Sequence, residues 1–229
     1  MNSSKRTGSR RTLPRRTLAL FLPYLPSERI ITRRGQPDRP FALIEKLRGA
    51  MVIVAADRQA VLLGLSPGMK LADARARVPE LLAFDHDPLA DAQLLDRLAS
   101  ACERYTPMVA ATPPDALILD ITGTAHFHAS EEALAQDVED RLDGAGYSAH
   151  WALAGTPDAA LALARHGLKQ GAEAQLPVAA LGMDAKTHHA LQRAGLYHIG
   201  DLADRPRAGL AARFGMELTV RLDRLLGVE

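Results

Sequence analysis

Apolar residues run almost unbroken over Thr17–Leu22 (TLALFL), the pattern of a strand buried on both faces. PYLPSER follows as an irregular exit or a short helix, and Arg33–Pro40 (RRGQPDRP) as a polar loop. Phe41–Lys46 and Met51–Ala56 are two apolar runs joined by LRGA, which predicts a hairpin. Asp57 is placed to cap a helix that runs through Leu63 and stops at Gly64. Ser66–Gly68 is a turn, Lys70–Val78 a short helix ended by Pro79, and Leu81–Phe84 a short strand. Pro88 opens the longest helical pattern, through about Tyr105, with Leu89, Ala92, Leu95, Leu98, Ala99 and Cys102 recurring along one face. Met108–Thr112 and Ala116–Ile121 are strands on either side of a Pro113-Pro114-Asp115 turn. Ser130 caps a helix to about Ala145 that turns Leu134, Val138 and Leu142 inward. Ser148–Ala154 is a strand, and Thr156 caps a helix from Pro157 to His166.

With Arg33–Asp85 set aside as an insertion, the order from Thr17 is strand, helix, strand, strand, helix, strand. That is the split βαβ pattern of the ferredoxin-like α+β fold, βαββαβ. In that topology the first strand lies antiparallel to the third, so the exit Leu22-Pro23-Tyr24 should neighbour Asp115. After His166 the chain changes character. GLKQGAEAQ (167–175) is a polar linker, and residues 176–229 break into short helices, a small all-helical unit.

Composition narrows the class. A chain of 229 residues is long enough for a proper core, and its single cysteine, Cys102, excludes disulfides and a thiolate metal cage. No apolar run approaches the ~20 residues that span a bilayer, so a cytoplasmic protein is expected. The net charge of +1 hides an uneven distribution: residues 1–27 carry Lys5, Arg6, Arg10, Arg11, Arg15 and Arg16 and no acid. Residues 1–16 are read as a basic disordered arm.

Candidate chemistry is sparse. Asp115 stands at the mouth of a buried strand, a common place for a metal ligand, but two-metal chemistry needs several carboxylates from adjacent strands. No Asp or Glu occurs from Met1 to Ser27, so the facing strand offers none, and Asp115 reads as a structural acid ahead of a metal ligand. Asp120, with Thr122, reads as a strand-end carboxylate bonded in its turn. His126 with His128, and His188 with His189, lack a third ligand at sensible spacing. Cys102 and Trp151 read as core. ALQRAGLYHIGDL (190–202) has the form of a helix-hairpin-helix. A helix ends at Gly195, a tight connection follows, and the next helix start offers backbone N–H groups to a phosphate. Gly195, Leu196, His198, Ile199 and Gly200 are the candidate DNA-binding residues.

These stretches resemble the Y-family translesion DNA polymerases over about Leu18–Gly227. Residues 17–32 and 86–166 match the palm, with Asp115-Ala116-Leu117 at the family's Asp-Glu strand. Residues 33–85 match the fingers, and LPVAALG with LQRAGLYHIGDLA (176–229) the helix-hairpin-helix thumb. The departures form a pattern. The first-strand acid is absent, the family's Glu falls on Ala116, and the triphosphate-holding Tyr and Arg fall on about Arg58 and Val61. Pro157-Asp158 stands where Asn-Lys is usual. That pattern is similar to the catalytically silent ImuB branch. The resemblance implies a non-catalytic DNA-binding adaptor in DNA-damage tolerance and SOS mutagenesis, with Asp115 as a remnant and no cofactor. Its implied partners are DNA, a sliding clamp, a RecA-like accessory protein and an error-prone replicative-type polymerase, and no membrane. The alternatives are a weak polymerase using Asp115 with Mg²⁺, or a simple helix-hairpin-helix DNA-binding module.

Overall fold

The computed structural model describes residues 14–124 and 128–228. Residues 1–13, the larger part of the expected basic arm, and His126 lie outside it. The first buried run forms β1 (Thr17–Phe21), and the exit after it is a helix, α1 (Leu25–Arg34). Pro26 falls in the first turn of α1, where its missing N–H costs nothing, so PYLPSER does not break helix formation. Then follow β2 (Phe41–Leu47), β3 (Ala50–Ala56), α2 (Arg58–Leu62), α3 (Leu71–Arg77) and β4 (Leu82–Asp85). The chain continues with α4 (Pro88–Cys102), β5 (Val109–Thr112), β6 (Ala116–Asp120), α5 (Glu131–Gly144), β7 (His150–Ala154) and α6 (Pro157–Arg165). The last part holds α7 (Ala185–Arg193), α8 (Gly200–Ala203), α9 (Arg207–Phe214) and α10 (Met216–Leu226).

The main sheet has the order β5-β6-β1-β7, with β1 antiparallel to both β6 and β7. This is the ferredoxin-like arrangement, in which each βαβ unit is split by one strand of the other. The inserted segment makes its own sheet, β3-β2-β4, with β2 and β4 parallel.

The two faces of the main sheet bury different residues. Leu18, Leu20, Leu117, Leu119 and Leu153 pack with α4 and α5. Ala19, Ala152 and Ala154, at the alternate positions, pack with α6 through Ala159, Ala160 and Leu163. Small residues on both sides let the helix sit close to the sheet. The alanine richness of this stretch is therefore a packing code. The same core continues through α6 into Leu176, Leu191, Leu196, Leu202 and Leu222, so the C-terminal helices share it.

The α4 face differs from expectation. Leu89 is 68% exposed, and Asp91 is buried in its place. Arg29 of α1 donates to Asp91, and His86 bridges Asp91 (2.8 Å) and Glu45. A hydrogen-bonded quartet ties α1 and α4 to the second sheet, and the Asp91 carboxylate is retained at a core position because Arg29 pairs with it.

Candidate functional site: the mouth of strand β6

The β5–β6 turn delivers Asp115 to the end of β6. There Leu22 N donates to Asp115 O at 2.8 Å, which makes the β1 exit its neighbour. The side chains diverge, however. Leu22 is fully buried and points toward α4 and α5, whereas Phe21, paired with Ala116, lies on the α6 side. The group that reaches the Asp115 carboxylate is Arg165, at the last residue of α6. Its guanidinium lies 4.9 Å from the centroid of the Phe21 ring, and Phe21 also stacks on His150 at 6.4 Å.

Arg165 carried no motif in the sequence. Its position follows from lengths. β7 ends at the end of the sheet where β1 begins, since Ala154 pairs with Thr17. The nine residues of α6 then run back along the sheet for ~13 Å, close to the ~16 Å of a five-residue strand. A basic residue in the last turn of such a helix arrives at the β6 mouth.

Burial pushes the Asp115 carboxyl above the usual carboxylate range, and the charge and hydrogen bond of Arg165 pull it back only in part. Ala116, where a second acid would stand, is fully buried. Asp120 is a strand length away, ~17 Å, and accepts from Thr122 N at 2.9 Å within its turn. Among the described residues no group of three or more His, Cys, Asp or Glu side chains is close enough to hold a metal ion. Mg²⁺ requires near-octahedral oxygen ligation. One carboxylate already paired with a guanidinium does not fit that requirement.

Arg58 and Val61, at the expected triphosphate positions, are otherwise arranged. Arg58 donates to Ser148 Oγ at 2.8 Å and lies 5.2 Å from the Tyr24 ring centroid. Ser148 in turn donates from N and Oγ to Glu28 at 2.9 and 2.6 Å. Burial raises the Glu28 carboxyl against these two bonds. Val61 and Leu62 on α2, and Leu63 just after it, are exposed.

The other candidate lies between α7 and α8. Gly195 adopts φ +74°, the left-handed conformation that closes the helix end. Leu196 and Ile199 are buried, backbone included, and Ile199 N donates to the Leu176 carbonyl at 2.8 Å, so the exposed part of the turn is Gly195, Tyr197 and His198. The N–H groups of Tyr197 and His198 both donate to Asp201 Oδ2, at 2.8 and 2.9 Å. These backbone bonds, first from His198 and then from Tyr197, hold the Asp201 carboxyl below its ordinary value. Gly200 has a packing reason: a Cβ there would stand 3.1 Å from the Ala174 carbonyl oxygen. Sequence reading found this turn and missed Asp201. His128 lies beside Tyr105, with ring centroids 5.9 Å apart, and burial pushes the Cys102 thiol up to about 11.

The fold built from this sheet, its inserted second sheet and the trailing helices is that of the Y-family DNA polymerases. DinB from Sulfolobus solfataricus superposes with a TM-score of 0.75, at 14% identity over 93% of this chain and 67% of that chain. A Y-family DNA polymerase chimera and an insertion ternary complex of Dbh DNA polymerase reach 0.78 and 0.79, each at 14% identity over 93% of this chain and 68% of theirs. A model described as the impB/mucB/samB family matches residues 31–165, more than half of the chain, and the chain belongs to that family. It is also 44% identical over 174 residues to Protein ImuB from two strains of Caulobacter vibrioides, NA1000 / CB15N and ATCC 19089 / CIP 103742 / CB 15. That match takes in 72% of this chain and 38% of the relatives' length. No helix among the described residues is long and apolar enough to cross a membrane.

Proposed function

We propose that this chain is a catalytically silent, DNA-binding member of its family that acts as an adaptor in DNA-damage tolerance and induced mutagenesis. The observation that carries the reading is the Asp115–Arg165 pair. A side-chain cation stands at the carboxylate where a polymerase of this fold would gather divalent ions. Phe21, beneath that cation, supplies an aromatic face and no oxygen. Without a metal cluster, nucleotidyl transfer has no means of activating the primer hydroxyl or neutralising the leaving pyrophosphate. The surface assigned to DNA in this reading is the turn of Gly195, Leu196, His198, Ile199 and Gly200, in which Leu196 and Ile199 are buried beneath the exposed Gly195 and His198, together with the arginines near α6. By resemblance its partners are a sliding clamp, a RecA-like accessory protein and an error-prone replicative-type polymerase, which performs the synthesis.

Primer extension with Mg²⁺ or Mn²⁺ tests this reading. The expected result is no incorporation above a no-protein control. Incorporation that disappears on Asp115→Ala would show an active polymerase and overturn the proposal. DNA binding itself should weaken steeply as salt rises.

A further inference from the structure

Beside the Asp115 pair, α6 and α10 enclose a cleft of about 330 Å³. Leu161 and Leu225 belong to its apolar wall, and its charged lining is Arg165, Arg221, Arg224 and Asp158. Two of the three guanidinium groups are fixed by their neighbours. Arg165 is held through Nη2 by Asp115 and lies over Phe21. Arg221 donates Nη1 to the carbonyls of Leu181, at 2.8 Å, and Gly182, and Nη2 to Glu217 at 2.6 Å. A guanidinium carries five N–H donors. Among the described residues, the bonds formed leave Nε of both arginines and Nη1 of Arg165 unused, and Arg224 makes none.

We propose that this cleft is a phosphate-binding site that works without a metal ion. Its ligand is a phosphodiester or phosphate ester group, held by Arg165 and Arg224 with Arg221 behind them. Guanidinium forks match the oxygens of phosphate in geometry and charge. Two of these forks are already held in place, so little side-chain freedom remains to be lost on binding. Three cations outnumber the one acid, Asp158, in the lining. Asp115 has a defined part here: it holds Arg165 through Nη2 and leaves the other donors of this cleft-lining residue unpaired among the described residues. The biological source of the phosphate, a DNA backbone, rests on the DNA-binding role proposed above; the chemistry of the cleft does not.

The test uses the full chain in EDTA with two probes: a fluorescein-labelled primer–template duplex followed by anisotropy, and sodium tripolyphosphate followed by thermal shift. Arg224→Gln and Arg165→Gln/Arg224→Gln are compared with Arg97→Gln. Arg97 lies on α4, against the opposite face of the sheet. We expect the double variant to bind duplex about tenfold more weakly at ~0.15 M salt. Its log–log salt slope should be shallower by about one to two. Arg224→Gln alone should show a smaller loss of the same kind, and it breaks no contact that folding requires. Arg97→Gln should match the wild type. If both cleft variants keep wild-type affinity and salt slope for duplex while the wild type binds it, the cleft is not the site. If the wild type ignores duplex, yet tripolyphosphate stabilises it and not the double variant, the cleft stands and the DNA-binding reading falls. A wild type that engages neither probe overturns both.

Discussion

The β6 mouth and the α7–α8 turn answer the same problem with opposite charges. At the mouth, a carboxylate that would gather a metal cation receives the side-chain cation Arg165. At the turn, backbone N–H groups that would receive a phosphate anion receive the side-chain anion Asp201. In each case the chain supplies a stand-in of the ligand's own charge. The difference lies in how firmly it is held. Arg165 arrives on a helix seated in the core, has an aromatic ring beneath it, and meets an acid only 22% exposed. Asp201 bonds within its own short turn and is 41% exposed. Solvent screens such a contact, and an incoming phosphate competes with it at little cost. Under the proposed function, the mouth excludes a metal by a firmly held cation and the turn is guarded by a loosely held anion.

The largest effect should come from moving the helix that carries the stand-in. Ala152→Leu inserts bulk between the sheet and α6, where alanines meet. We predict a loss of about 1–3 kcal/mol in denaturant unfolding. It should also separate Arg165 from Asp115 and leave the Gly195–Gly200 turn intact. An unchanged midpoint would mean that the α6 seat has slack, and the firmness assigned to the mouth would be lost with it.

Next is the pair itself. Arg165→Met keeps the aliphatic stem over Phe21 and leaves Asp115 without its cation. Both side chains are partly exposed, at 37% and 22%, so the cost should be about 0.5–1 kcal/mol. A loss of several kcal/mol would identify the pair as a keystone of the fold. No loss in the background of Asp115→Asn would confirm that the two act on each other.

Much of the architecture was written in the chain's periodicities. Buried leucines on alternate strand positions, the caps at Asp57, Ser130 and Thr156, and the Pro113-Pro114 turn each act locally, so a local reading finds them. The site was half legible, since the absence of an acid before Glu28 is a fact of sequence. What filled that absence was not legible, because Arg165 reaches Asp115 across 50 positions through the length of α6. Asp91 was missed for the same reason. Periodicity assigned the apolar face of α4 to Leu89, and only Arg29 and His86, brought from elsewhere, explain why an acid is inside and the leucine outside.

A pH series separates burial from pairing. Burial raises both Asp115 and Glu28, so each carboxyl holds its proton more tightly folded than unfolded. The stabilisation this gives is present below the unfolded value of about 4 and is lost as pH rises through the folded value. Relative to Asp115→Asn/Glu28→Gln, the wild type should therefore lose melting temperature from about pH 4 upward and level off by neutrality. The opposite slope would mean that Arg165 and Ser148 outweigh burial.

The smallest effect should be at the turn. Asp201→Asn removes the guarding charge and leaves an oxygen to accept from Tyr197 and His198. We expect duplex affinity to rise roughly twofold to threefold. A fall would indicate that Asp201 shapes the turn for DNA more than it guards it.

Mn²⁺ titration followed by electron paramagnetic resonance tests the central claim most directly. The wild type and Phe21→Asp/Arg165→Ala are compared. The substitutions place a second acid on the α6 face beside Asp115 and remove the cation that occupies it. The account predicts no saturable Mn²⁺ site in the wild type and a new one in the double variant. A saturable site already present in the wild type, and abolished by Asp115→Ala, would contradict it.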